Sequence, residues 1–247
     1  MLKIDLMKNY DFVLVMPVYN EEDGIYTFLQ SIINKFGNKC LIIVIDDKST
    51  DGTIKKIESL EDKESLILIK LPKNLGHGGA FVHGMKLSLQ YPSKIVITAD
   101  GDGQITPQLI QSMFDSIQLN PECVLELIRL NRLDGKIRKI ISLATRILVL
   151  LKSGEFPNDA NTPFRAYSQY TLETLLKHLP QNTLVPNLWI SILTRRKNIQ
   201  TIELKALSQS RAGITKIGST WDGGKYRRYK KLIIFSSKAA FEFMKYK

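Results

Sequence analysis

The chain has 247 residues, 44% of them hydrophobic and 24% charged. That is the balance of a soluble globular protein, with length for one large domain or two interlocked halves. Its formal net charge of +11 and pI near 9.5 point to anionic partners (nucleic acid, an anionic lipid surface or phosphorylated small molecules), while two cysteines, Cys40 and Cys123, exclude a disulfide framework and suit a reducing cytoplasmic setting.

Met1–Tyr10 has no apolar core ahead of its charges and is not expected to be a signal peptide. No run approaches the roughly 18 apolar residues of a bilayer span. Phe12–Pro17 predicts a buried strand ending at a proline. Asn20, in Val18-Tyr19-Asn20-Glu21-Glu22, is placed as the N-cap of a helix to about Lys35 with carboxylates in its first turn. Leu41–Ile45 is a second strand, followed by the polar turn Asp46–Thr53 and a helix. Leu66–Leu71 is a third strand, and Asn74-Leu75-Gly76-His77-Gly78-Gly79-Ala80 opens a helix to about Gln90.

A fourth strand at 94–99 runs into Asp100-Gly101-Asp102-Gly103-Gln104. Such strand and helix alternation predicts an α/β fold with a mostly parallel sheet, whose ligands sit beyond the carboxyl ends of the strands. Each acidic or glycine-rich turn lies at that edge, so they are expected to converge on one crevice. In an extended segment alternate side chains share a face, which lets Asp100, Asp102 and Gln104 present three oxygens to one Mg²⁺ or Mn²⁺. The alternative is an Asp/Gly turn with no metal.

The second half is less regular. A strand near Cys123–Ile128 precedes a basic segment, Arg129 to Lys139, and a strongly apolar helix, Ile140–Leu151. A proline-containing loop, Phe156–Tyr167, follows. Helices are expected near Leu172–His178 and Leu184–Arg196, and a strand at Ile199–Leu204. The tail carries Lys225-Tyr226-Arg227-Arg228-Tyr229-Lys230-Lys231 ahead of an apolar stretch. It suits either an amphipathic helix on an anionic membrane face or a terminal helix packed on its own domain. No nucleic-acid motif accompanies the cluster.

Four segments in order, Met16–Glu22, Asp46–Thr53, Asn74–Ala80 and Ala99–Gln104, resemble the family 2 glycosyltransferases, above all the dolichyl- and polyprenyl-phosphate mannosyl- and glucosyltransferase branch. The resemblance runs from Phe12 to about Lys216. It implies a GT-A type, Rossmann-like sheet with helices on both faces and a nucleotide-diphosphate-sugar donor. The expected division is a donor half at 1–120, an acceptor half at 121–220 and a basic tail at 221–247. On this resemblance Pro17, Tyr19, Glu21, Ile45 and Asp47 cradle the nucleoside. Asp100, Gly101, Asp102 and Gln104 form the metal and diphosphate segment, with Gly101 where Ala is common and expected to loosen the backbone. Arg211 and Lys216 match an element that closes over the donor phosphates.

Arg129, Arg138 and Ser142 match residues that contact an acceptor phosphate, for which guanidiniums suit bidentate hydrogen bonding. Asp159–Tyr167 resembles the family's acceptor loop, with Thr162 and Pro163 replacing Ser and Gly. The branch often has a Glu where this chain reads Val185-Pro186-Asn187-Leu188. The family inverts by direct displacement. A lipid-phosphate acceptor needs no general base, whereas a saccharide hydroxyl does. Asp159 is the candidate base, or else a loop carboxylate paired with Arg165. His77 either approaches the donor or is a polar turn residue. Asp100 and Asp102 stand too close together for a hydrolase pair. The expected function is metal-dependent transfer of a sugar from a nucleotide-diphosphate sugar to a polyprenyl phosphate at the inner face of a membrane, with transfer to a saccharide hydroxyl in cell-surface polysaccharide assembly as the alternative and nucleotidyl transfer and a non-catalytic surface adaptor as competing classes.

Overall fold

The computed structural model describes residues 9–61, 64–130, 136–207, 238–239 and 242–246, and of 136–138 the backbone alone. In chain order the elements are β1 (Tyr10–Val18), α1 (Ile25–Phe36), β2 (Cys40–Asp46), α2 (Thr53–Glu58), β3 (Leu66–Lys70), α3 (Gly76–Ser88) and β4 (Ser93–Thr98). They continue with α4 (Pro107–Leu119), β5 (Val124–Arg129), α5 (Lys136–Ser153), β6 (Arg165–Ser168), α6 (Gln169–His178), α7 (Pro186–Arg196) and β7 (Thr201–Ala206).

The seven strands form one sheet in the order β3-β2-β1-β4-β6-β5-β7. Among the described residues β6 alone is reversed, pairing antiparallel with β4 and β5. The first four strands are parallel, as their separation by crossover helices requires.

Strands covered on both faces read as continuous apolar runs, and β2 is buried at every position. β1 divides its side chains by parity. Phe12, Leu14 and Met16 pack with Phe28, Leu29, Ile32, Ile110, Met113 and Ile117 from α1 and α4. Val13 and Val15 pack on the other face with Phe81 and Met85 of α3, Leu172 and Leu175 of α6 and Ile190 of α7. Each such side chain contributes about 1.5–3 kcal/mol by leaving water.

The order places β1 between β2 and β4. The chain therefore leaves β1 and β4 at a topological switch point, where an open α/β sheet forms its crevice.

Three points of the sequence reading need correction. Asn20 does not cap α1: it has φ +54°, the helix starts five residues later after Gly24, and no carboxylate lies in its first turn. α4 was not foreseen, although Thr106 accepts a hydrogen bond from Leu109 N and Pro107 occupies the first turn, both start signals. The last residues of the expected 156–167 loop begin β6, which buries Arg165 completely.

The described end of the tail packs on its own domain. Phe243 is 5% exposed and stacks on Trp189 at 4.8 Å. Glu242 accepts hydrogen bonds from Thr183 Oγ1, Leu184 N and Trp189 Nε1. Residues 221–237, with the basic-aromatic cluster, lie outside the described residues. Cys40 and Cys123 are buried and free.

Candidate active site

The loops at the carboxyl edge of the sheet are tied to one another by hydrogen bonds. Pro17 of β1 stands in register with Ile45 of β2, and Val18 with Asp46. Asn20 accepts from Thr50 N at 2.8 Å, Glu21 N donates to Thr53 Oγ1 at 2.8 Å, and Gly52 N donates to Glu22 at 2.9 Å. The acidic segment after β1 is thus a clasp on the turn after β2. Tyr19 and Glu21 stay partly exposed there.

Asp47 continues the chain of contacts. Its carboxylate accepts from Leu75 N at 2.6 Å, and its backbone carbonyl accepts from Asn74 Nδ2 at 2.8 Å. Asp47 is 3% exposed. Burial pushes its carboxyl up, against the Leu75 and Gly76 amides, with Asp46 adding to the rise and His77 opposing it.

His77 closes the ring: its Nε2 lies 2.8 Å from Asp100 Oδ1, and the imidazole stacks on Phe81. Burial in the crevice pulls its pKa down. The Asp100 charge and hydrogen bond, joined by Asp102 and Asp47, outweigh that and hold it above its ordinary 6.5. Half of the side chain stays open to solvent. One imidazole feeling three carboxylates marks the point where the negative field of this edge is concentrated. Sequence reasoning left His77 open between donor and turn. The signal for it was its place in the glycine-rich loop facing the fourth strand.

Asp100, Asp102 and Gln104 are brought to this edge, each partly exposed, but in a turn and not as an extended segment. Gly103 has φ +71°, so strand alternation does not set their directions. Asp102 Oδ1 instead accepts from Gln104 N at 3.1 Å. Gly101 is not a loosening residue either. A Cβ there would overlap Val18 Cγ1 and press on the Pro17 carbonyl, so the turn uses glycine to pack against β1.

Among the described residues no group of three or more His, Cys, Asp or Glu forms a ready cage for a metal ion. Two part-exposed carboxylates beside a crevice do fit a hard divalent cation, which is often held by one or two carboxylates with substrate phosphates and water completing the shell.

The side expected to receive the acceptor rests on buried charge. Glu126, in β5, receives Arg165 Nε at 3.1 Å and Arg195 Nη2 at 3.1 Å, with all three side chains at 2% exposure or less. Arg165 also donates to the carbonyls of Thr162 at 2.7 Å and Ala160 at 3.5 Å. Burial opposes its charge, but Glu126, Tyr167 and Asp159 outweigh that and keep the guanidinium protonated.

Arg165 therefore holds the loop that carries Asp159. Asp159, 6% exposed, forms its ion pair with Arg129 at 3.6 Å, and Arg129 lies over the Phe164 ring. Ser142 lies on α5, partly buried. The side chain of Arg138, and Arg211 and Lys216 entirely, lie outside the described residues.

Comparison with known proteins identifies the family and the fold. A family model described as glycosyl transferase family 2 covers residues 13–183. An undecaprenyl-phosphate 4-deoxy-4-formamido-L-arabinose transferase from Pectobacterium atrosepticum is 28% identical over 84% of this chain and 62% of its own length. The chain thus spans about three fifths of that relative. A UDP-N-acetylglucosamine–dolichyl-phosphate N-acetylglucosaminyltransferase from Methanococcus voltae is 29% identical over 67% of this chain and 72% of its own.

Among solved structures, glucosyl-3-phosphoglycerate synthase from Mycobacterium tuberculosis with Mn²⁺, UDP and glucosyl-3-phosphoglycerate superposes with a TM-score of 0.64. It is 16% identical and covers 94% of this chain and 77% of that one, which shows a shared GT-A fold. The switch-point loops, their carboxylate edge and a family match over residues 13–183 lead to one conclusion: this chain belongs to glycosyl transferase family 2.

Proposed function

We propose that this enzyme moves a sugar, with inversion, from a nucleoside-diphosphate sugar to a polyprenyl phosphate at the inner face of a membrane. The observation that carries the reading is the crevice at the β1/β4 switch point, where Asp47, His77, Asp100 and Asp102 meet. Pro17, Tyr19, Glu21, Ile45 and Asp47 bind the nucleoside, the last through a carboxylate suited to a base N–H or a ribose hydroxyl. Asp100 and Asp102, with Gln104 at their side, would hold Mg²⁺ or Mn²⁺, which would supply neutralisation of the leaving diphosphate. Arg211 and Lys216 complete the grip on the donor phosphates. The segments 1–120 and 121–220 act as donor and acceptor halves of the one sheet.

On the acceptor side Arg129, Arg138 and Ser142 bind the lipid phosphate. Its oxygen attacks the anomeric carbon as the bond to the nucleotide's β-phosphate oxygen breaks and that oxygen leaves with the electron pair. A phosphate oxygen is already anionic, so no proton has to be removed. Asp159 fits this better as the partner that holds Arg129 than as a base, because it is 6% exposed and ion-paired. Names of relatives that act on undecaprenyl and dolichyl phosphate support the same acceptor class.

Transfer of radiolabel from a panel of UDP-, GDP- and dTDP-sugars, followed by extraction into organic solvent, tests the proposal. Label in a lipid extract that depends on added polyprenyl phosphate is expected. A purely water-soluble product contradicts the lipid acceptor and returns Asp159 to the role of base for a saccharide hydroxyl.

A further inference from the structure

α7 begins without help from its own N-cap. Val185 at that position offers no side-chain acceptor, although the first amides of a helix need partners. The acceptor comes from the end of the chain. Glu242 receives Leu184 N at 3.0 Å and also accepts from Thr183 Oγ1 and Trp189 Nε1. A carboxylate placed there also meets the positive end of the helix. Its own segment is tied down by Phe243, which stacks on Trp189, and by Lys152 Nζ, which donates to Tyr246 O at 3.0 Å. One side chain thus fixes the turn before α7 at three points.

That turn also faces the proposed donor edge. A Cβ on Gly78 would stand 2.6 Å from the Leu184 carbonyl oxygen and 2.9 Å from Pro186 Cδ, closer than a carbon atom packs. The first turn of α3 is therefore seated on 184–186 with no slack. On its other flank the same loop is held by Asp47, which receives Leu75 N at 2.6 Å. His77 lies in the chain between these two holds and reaches Asp100 Oδ1 at 2.8 Å. A continuous line of contacts runs from Glu242 through Leu184 and Gly78 to His77 and Asp100.

The Asp47 hold is made within the donor edge. The Leu184 hold is made from outside it, and its firmness depends on the carboxylate behind it. Thr183 and Trp189 are 3% and 2% exposed, so without Glu242 they lose an acceptor that water does not readily replace.

We propose that Glu242 is a positioning residue: it seats the glycine-rich turn of α3 and, through that turn, sets His77 on Asp100. The inference rests on the donor-edge reading for its purpose, since Asp100 is a residue that reading gives to the cation.

Hydrogen exchange of the ligand-free full chain tests the seating. In Glu242→Gln the amides of 75–82 are expected to exchange at least about fivefold faster than in wild type, and those of β2 to change less than about twofold. Calorimetric titration with Mn²⁺ and whichever of UDP, GDP and dTDP the wild type binds best tests the purpose. Glu242→Gln should bind about five- to tenfold more weakly. Ile117→Val, a buried change on the opposite face of the sheet, should bind as wild type does. Gly78→Ala should weaken binding too. In Glu242→Gln/Gly78→Ala the two losses should fall short of multiplying, because both act at the Leu184 contact.

Unchanged exchange at 75–82 overturns the inference, and so do losses that multiply. Exchange that quickens throughout the chain does the same, since Glu242 would then serve stability alone. If exchange responds as expected but the wild type binds no nucleotide, the seating stands and the donor reading fails. If wild type and Glu242→Gln bind nucleotide equally, the donor reading stands and the positioning role fails.

Discussion

The two sides of the candidate site are built on opposite physical plans. The proposed donor edge is a set of loops stitched by hydrogen bonds between side chains and backbone amides, from Asn20 to Thr50 and from Asp47 to Leu75. The proposed acceptor loop hangs on fully buried charge, with Glu126 bridging Arg165 and Arg195 and Arg165 reaching the loop carbonyls. Exposed loops with modest bonds can readjust around a ligand. A loop held by buried ions is fixed at high cost of failure, because removing one partner strands the other away from water. The donor edge is therefore expected to tolerate change in stability while losing binding, and the acceptor loop to do the reverse.

Arg165→Met separates the two plans most strongly. It is expected to destabilise the fold by about 3–5 kcal/mol, read as a lower urea midpoint, while the molecules that stay folded still bind nucleotide. A midpoint within experimental error of wild type would mean that the buried cluster holds nothing in place.

Gly101→Ala is next. Its Cβ meets Val18 and the Pro17 carbonyl, and overpacking of this kind costs about 1–3 kcal/mol. Adding Val18→Ala should recover most of that loss, because the first atom in the way is then gone. No recovery in the double variant would place the strain in the backbone instead.

The smallest effect concerns His77. Its pKa is raised in the folded protein, so the stability it contributes is full below its ordinary 6.5 and fades as pH rises through the folded value. In the presence of a chelator, His77→Gln should therefore lower stability at pH 6 by about 0.2–1 kcal/mol, the range of exposed ion pairs, and hardly at all at pH 9. A variant whose deficit grows with pH would contradict the sign.

Much of the donor half is legible in the sequence because each strand there is a continuous apolar run that ends in a polar turn, and burial on both faces requires that run. The meeting of those turns follows from the sheet's direction alone. What they do to each other does not. Asn20 has the chemistry of a cap and is used instead as a clasp at φ +54°, a choice made by Ser49 and Thr50 some thirty residues away. The Asp100–Gln104 turn is legible as a carboxylate site but not as a turn, because Gly103 can follow either path.

The acceptor half is less readable for a reason of the same kind. β6 is four residues long and begins with a buried arginine, which no local pattern marks as strand. Its partner Glu126, far off in the chain and shared with Arg195, makes it possible together with the Thr162 and Ala160 carbonyls. The fate of the tail likewise depends on Trp189 stacking with Phe243, a contact that sequence periodicity does not carry.

The central claim is that Asp100 and Asp102 hold a cation that in turn holds a sugar nucleotide. Thermal shift with UDP, GDP and dTDP, each with and without Mn²⁺, tests it on wild type and Asp102→Ala. A nucleotide at a hundred times its dissociation constant should add about 2.7 kcal/mol of stability. The Mn²⁺-dependent part of that gain should vanish in Asp102→Ala while the variant remains folded. A variant that keeps the whole Mn²⁺-dependent gain would show that the cation binds elsewhere.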